Sequence, residues 1–227
     1  MKKDLWVISL GGSRIIPEDV DYKFIEEFKS LIERNKHHKF AVVTGGGSTA
    51  RRYMKALKKI GKRTKDQSLV GISITRLHAS FLARIFGKEA NEIIPQNMKK
   101  VENLLKKNQV VFCGALRYKD ENTSDGTAAD LAGYLGCSFI NITNVKGLYD
   151  KNPKTNKNAK FIKKISWKSF YQMANKIKFE AGQHFALDQQ ASNKIMQKKI
   201  PTYIINNLND LEKIINGKKF SGTLIQD

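Results

Sequence analysis

Three consecutive glycines, Gly45, Gly46 and Gly47, follow the apolar run 40–44 and lead into Ser48-Thr49-Ala50-Arg51-Arg52-Tyr53-Met54, which reads as the first turns of a helix. Without a Cβ, successive backbone N–H groups can converge on an anion, and a helix N-terminus adds its positive partial charge. Arg51, one turn into that helix, can swing back to complete the charge neutralisation. These residues predict a phosphate cradle. A second strand-to-glycine turn opens the chain, where residues 5–10 run into Gly11-Gly12-Ser13. Either turn alone also serves as a plain connection. Two of them on neighbouring parallel strands would open on one sheet edge and let two phosphate-bearing ligands meet, a geometry suited to phosphoryl transfer.

Two further segments carry candidate site residues. After the apolar run 109–113 comes a polar loop, then Thr123-Ser124-Asp125-Gly126-Thr127 at a helix start. Ser124 or Asp125 is a natural N-cap, and the hydroxyls and N–H groups of the loop can equally read a base or a phosphate. After the run 137–143, the break at Gly147 puts Tyr149 beside a strand end, where its ring could contact a nucleobase. Asp188 starts a later helix, either as a plain N-cap or as a fixed negative charge that organises cations around a transferring phosphoryl group.

The elements that must position these residues follow from periodicity. Strand-like runs at 5–10, 40–44, 109–113, 137–143 and 202–205 alternate with segments of helical spacing, such as Phe24, Phe28, Leu31 and Ile32 or the stretch 69–85. The alternation predicts an α/β fold, a three-layer αβα sandwich around a mostly parallel sheet. The polar, turn-rich stretch 148–164 predicts an excursion off that sheet. A single domain over 1–227 is expected, with an N-terminal lobe to about residue 142 and a C-terminal lobe from about residue 143.

The 227 residues, 41% hydrophobic, suffice for one large core. The longest continuous apolar runs are strand-length, short of the roughly 20 residues that span a bilayer. Lys2 and Lys3 lead straight into the first core strand with no signal-peptide pattern, so a cytoplasmic chain is expected. Cys113 and Cys137 lack CxxC spacing and read as buried thiols of a reducing compartment. The net charge of +20 is spread through the helices with abundant Asn. It reads as solvated faces that draw in anionic nucleotides, rather than as a nucleic-acid site.

Taken in order, Leu10-Gly11-Gly12-Ser13, the segment 43–53, Val70-Gly71-Ile72-Ser73-Ile74-Thr75-Arg76, Thr123-Ser124-Asp125, the segment 142–149, Leu187-Asp188 and the closing Gly222-Thr223-Leu224-Ile225 resemble the amino-acid kinase superfamily, in its archaeal uridylate (UMP) kinase branch. The likeness runs the whole length, and the segment 45–53 is its most specific part. It implies transfer of the γ-phosphoryl of ATP to UMP, a step of pyrimidine biosynthesis, with Mg²⁺ and in a homohexamer. No membrane partner and no protein metal ligand are implied. By the same resemblance Gly12 and Ser13 hold ATP phosphates, Gly46 and Gly47 face the phosphates of the two ligands, and Arg51 bridges them. Thr123, Ser124 and Asp125 belong to the uridine side, and Thr143, Tyr149 and Asn152 to the ATP side. Asp188 orients the charged groups at the reaction centre.

Several residues depart from that pattern. Ser9 stands where many members place a phosphate-binding Lys, and Ser68 where an Asp grips the acceptor ribose. Lys146 and Asn152 each replace an Asp, and Asn193 falls where Lys is common. Lys146 and Arg14 are the candidates to supply the positive charge that Ser9 lacks. The departures leave two other readings open beside UMP phosphorylation: a kinase of another small phosphate or carboxylate, or a regulator that binds nucleotide or RNA without efficient turnover.

Overall fold

The computed structural model describes residues 4–118, 123–151, 153, 155–176 and 187–227. The first half runs β1 (Leu5–Leu10), α1 (Gly12–Ile15), α2 (Tyr22–Arg34), β2 (Lys39–Thr44), α3 (Gly47–Lys59), α4 (Thr64–Phe86), α5 (Met98–Lys107) and β3 (Val110–Cys113). Then come α6 (Ser124–Leu135), β4 (Ser138–Ile142), β5 (Leu148–Tyr149), β6 (Phe161–Ile162), β7 (Lys164–Ile165) and α7 (Trp167–Lys176). The chain closes with α8 (Gln189–Gln197), β8 (Thr202–Ile205), α9 (Leu208–Ile215) and β9 (Thr223–Ile225). The five strands expected from apolar runs all form, with ends within one residue of the pattern.

These strands and two shorter ones, β7 and β9, make a seven-stranded sheet in the order β3-β2-β1-β4-β8-β9-β7. All pairings are parallel except β8 with β9, which is antiparallel. Each central strand alternates its side chains between two cores, because successive residues of a strand face opposite ways. Ile8, Leu10, Phe40, Val42, Phe112 and Ile140 join Phe28, Leu82 and Leu211 on one face. Val7, Ala41, Val43, Val111 and Phe139 join Leu105, Leu131, Phe170 and Ile195 on the other. Two buried faces make the αβα sandwich, and they explain why the strands read as near-continuous apolar runs.

From β1 the order steps one way to β2 and β3 and the other way to β4 and β8, so β1 and β4 flank the topological switch point. A crevice forms there beyond the carboxyl ends of the strands. α4 is longer than its apolar pattern indicates, and by length and composition it is the one described helix able to cross a membrane. Instead Thr75, His78, Ala79, Leu82, Ala83 and Phe86 bury one of its faces in the protein. Cys113 and Cys137 are both buried, and burial pushes the Cys113 thiol up to about 12.

The excursion after β4 is the separate hairpin β5–β6, antiparallel, with Tyr149 opposite Phe161. Thr223 of β9 pins it: its buried hydroxyl accepts from Leu148 N at 2.9 Å and donates to Ile162 O at 2.5 Å. Thr223→Val keeps the shape and orphans both groups, so it should lower unfolding free energy by about 1–3 kcal/mol, read as a shifted urea midpoint.

Candidate active site

The two glycine turns lie face to face at the ends of β1 and β2. Gly45 N donates to Leu10 O at 2.9 Å, and Gly11 N donates to Ile142 O at 3.3 Å, which ties both turns to the switch point. The contact between them is backbone on backbone. A Cβ at Gly12 would sit 2.4 Å from Gly47 N and 2.5 Å from Gly45 O. One at Gly47, whose φ is +58°, would sit 2.6 Å from Gly12 C and 2.7 Å from Ser13 N. The glycines at 12 and 47 are therefore required first by mutual approach, a reason the sequence reading did not contain.

The anion-binding capacity lies in the N–H groups that remain. α3 begins with Gly46 as its N-cap and has no side-chain cap, so its first-turn donors lack the usual capping oxygen. Arg51 stands four residues after Gly47, hence on the same helix face, and is exposed. Ser13 is half-buried beside the contact.

Behind the turns sits a carboxylate pair. Ser9 faces the α6 side of the sheet and donates through its hydroxyl to Asp125 Oδ1 at 2.6 Å. Thr123, not Ser124 or Asp125 as the sequence reading expected, caps α6: its Oγ1 accepts from Gly126 N at 3.0 Å. The correction has a plain cause, since Asp125 is turned inward to Ser9. Ser124 lies against the first turn, its Oγ 3.4 Å from where a Cβ on Gly45 would be. Thr123 also donates to Asp188 Oδ2, and Asp188 Oδ1 caps α8 by accepting from Ala191 N at 2.8 Å. The cap reading of Asp188 therefore holds, and the same side chain stands beside Thr123 and Asp125. Next to Asn193, Lys194 turns inward to Asp130 at 2.7 Å and to Gly126 O at 3.1 Å, locking α8 to the start of α6.

Burial, and then the repulsion of Asp188, push the Asp125 carboxyl up to about 7 against the pull of the Ser9 hydroxyl. Among the described residues no Lys or Arg forms an ion pair with Asp125 or Asp188. Arg14 stacks on Phe24 at 4.6 Å and Lys146 on Phe161 at 5.3 Å, so neither compensates them directly. The pair therefore favours a cation arriving with a ligand.

The remaining predicted residues divide. Thr143 leaves β4 next to Gly11, its N–H donating to Ile205 O at 2.9 Å. Tyr149 is half-buried on the hairpin, edge-on to Phe161 at 5.3 Å. Asn152 lies outside the described residues. Ser68 is not brought to the turns: it sits on α4 seven residues before Thr75, about 10 Å along the axis. Thr75 is the α4 residue that meets Gly46, with 3.6 Å between its Cγ2 and a Cβ built there.

Several supports escaped sequence reasoning. His78 is buried and its Nδ1 lies 2.8 Å from Gly45 O, a carbonyl, so this nitrogen carries the proton and donates. Thr44 Oγ1 donates to Thr75 O at 2.7 Å, and Ala115 N donates to Thr75 Oγ1 at 2.9 Å. The contact of Ser9 was legible in principle: period two places residue 9 on the face of residue 7, opposite residues 8 and 10. The role of His78 has no signal short of the helix packing.

A doubly wound sheet whose switch-point edge carries two apposed glycine turns and an uncompensated carboxylate pair defines an α/β protein built to handle phosphates. More particularly, the chain belongs to the amino acid kinase family, whose model matches residues 4–206. Uridylate kinase of Thermococcus kodakarensis is 33% identical over 224 residues, covering 97% of this chain and 98% of the relative. Uridylate kinase of Thermoplasma volcanium is 31% identical, with 97% of each chain covered. The crystal structure of uridylate kinase from Archaeoglobus fulgidus superposes with a TM-score of 0.85 at 31% identity, covering 97% of this chain and 99% of that one. UMP kinase from Bacillus anthracis shares the fold, with a TM-score of 0.82 at 18% identity over 99% and 96% of the two chains.

Proposed function

We propose that this chain phosphorylates UMP with ATP, yielding UDP and ADP. The observation that supports the reading is the backbone contact between the two glycine turns, which puts the ends of β1 and β2 against each other at one point of the sheet. A UMP phosphate oxygen attacks the γ-phosphorus while the bond to the β–γ bridging oxygen breaks, and ADP leaves with that electron pair. No protein nucleophile is required, because alignment and charge neutralisation supply the rate.

In this reading Gly12 and Ser13 hold the donor phosphates, Gly46 and Gly47 meet both ligands, and Arg51 swings across the developing charge. Thr123, Ser124 and Asp125 serve the acceptor side in the N-terminal lobe, 1–142. Thr143, Tyr149 and Asn152 serve ATP from the C-terminal lobe, 143–227. Ser68, two turns before Thr75 on α4, stands on the acceptor side for the ribose. Mg²⁺ enters as part of the MgATP substrate, and Asp125 and Asp188, which have no ion-pair partner among the described residues, suit the divalent cation that the anionic nucleotide carries. Asp188 orients the charged groups through Thr123 and the start of α8. The apolar stripe Leu69, Leu77 and Phe81 exposed along α4 supports a homo-oligomer, with the hexamer as the expected form and the cytoplasm as its setting.

Purified protein incubated with MgATP and a panel of nucleoside monophosphates and small acids should release ADP selectively with UMP. Selective turnover with a different acceptor, or nucleotide binding without turnover, would overturn the proposal. Light scattering of the same sample reads the assembly, and a monomeric mass counts against the hexamer.

A further inference from the structure

We infer that Arg76 is a positioning residue of the acceptor pocket, setting the affinity for the phosphoryl acceptor by holding the loop that leaves β3. The inference rests on the proposed function, in which that loop leads to the acceptor side at Thr123–Asp125.

Arg76 is half-buried on α4, and its fork reaches two successive carbonyls: Nε donates to Ala115 O at 3.1 Å and Nη2 to Leu116 O at 2.9 Å. These carbonyls lie beyond the last residue of β3, where the sheet ladder no longer supplies partners. The same helix grips the loop at two neighbouring points. Ala115 N donates to Thr75 Oγ1, and Gly114 lies so close to α4 that a Cβ would sit 2.6 Å from Arg76 N. One turn of α4 thus fixes both the start of this loop and, through His78 and Gly45 O, the glycine turn after β2.

A merely structural explanation accounts for satisfied carbonyls but not for the residue type. Among the described residues the guanidinium has no carboxylate partner, although it is half-buried. A planar fork spanning two adjacent peptides dictates the direction in which the chain departs, and a point cation cannot. The uncompensated charge also leaves the loop electropositive, which suits an anionic acceptor. Loop residues held by a rigid element are where recognition is tuned, because ordering the loop beforehand removes that cost from binding.

The test is steady-state kinetics of Arg76→Gln and Arg76→Lys, with KM for UMP and for ATP measured separately and the ratio of kcat/KM for UMP over CMP. Both variants should raise KM for UMP about tenfold or more, leave KM for ATP within about twofold, and narrow the UMP preference. Arg76→Lys keeps the charge and lacks the fork, so parental kinetics in this variant would overturn the inference. So would equal rises in both KM values, or a fall in kcat alone that follows the fraction of folded protein. If Arg76→Gln does not fold, Arg76→Lys carries the same comparison. Calorimetry with UMP on the parent separates the two levels: a parent that neither binds nor phosphorylates UMP sinks the functional reading, and this inference with it. A parent that does so, with unaltered variants, sinks this inference alone.

Discussion

Gly12→Ala is expected to lower kcat/KM by about 10²-fold or more, because ångström-scale misplacement of reacting groups has that cost. The added methyl would meet Gly47 N at 2.4 Å, Gly45 O at 2.5 Å and Gly46 C at 2.7 Å. All three are backbone atoms, so the clash cannot be relieved by a rotamer change and the two turns must separate. Each turn is anchored to the sheet, through Gly45 N to Leu10 O and Gly11 N to Ile142 O, so separation also strains the strand ends. Both substrate KM values should rise together, since both phosphate edges move. A neighbouring control is Gly136→Ala, at a helix end with φ +66° and open space around it. Its strain lowers stability by about 1 kcal/mol and should leave both KM values intact. If Gly12→Ala retains parental kinetics, the apposed turns are not the phosphate edges.

Asp125→Asn should remove a pH dependence of stability and sharply reduce turnover. The folded carboxyl titrates near 7, pushed there by burial and then by Asp188, against an ordinary value of 3.8. Between these values the folded protein holds a proton that the unfolded chain has released, so stability falls as pH rises from about 4 to 7 and stays low above it. A difference of about three pH units corresponds to roughly 4 kcal/mol across that window. The amide that replaces the carboxyl cannot ionise, and it can still accept from Ser9, so the variant should be the more stable protein above pH 7 and close to the parent near pH 4. Urea midpoints at pH 5 and pH 8 read the effect directly, and an unchanged slope between parent and variant would remove the assigned cause. Turnover moves the other way. Loss of a negative charge that faces the Mg²⁺ of the nucleotide should cost about 10² in kcat at pH 8. A variant both more stable and less active at that pH is the signature of a strained functional group.

Much of this architecture was legible in the residues. Strands β1, β2, β3, β4 and β8 announce themselves as apolar runs because a sheet buried on both faces needs apolar side chains at nearly every position. The glycine turns are legible because clustered glycines after an apolar run mark a strand-to-helix turn, although only Gly47 among them has a positive φ. The short strands β5, β6 and β7 were not, since two residues carry no periodicity and only pairing with distant partners such as Thr223 and β9 makes them strands. Local pattern alone puts the cap of α6 at least one residue late. Thr, Ser and Asp are all good caps, and the inward turn of Asp125 toward Ser9 settles the choice across 116 residues of sequence.

The amino-acid order by itself determined the alternation of strand and helix, the two turns and the class of ligand they suit, because these follow from local propensity and side-chain type. Tertiary structure alone decided that Gly12 and Gly47 are glycines for each other's sake and that Asp125 stands close enough to Asp188 to feel its charge. It also decided that α4 reaches over through Thr75, Arg76 and His78 to hold the loops of two strands. Such facts depend on distances between residues far apart in the chain, and on the lower dielectric that partial burial creates around a charge.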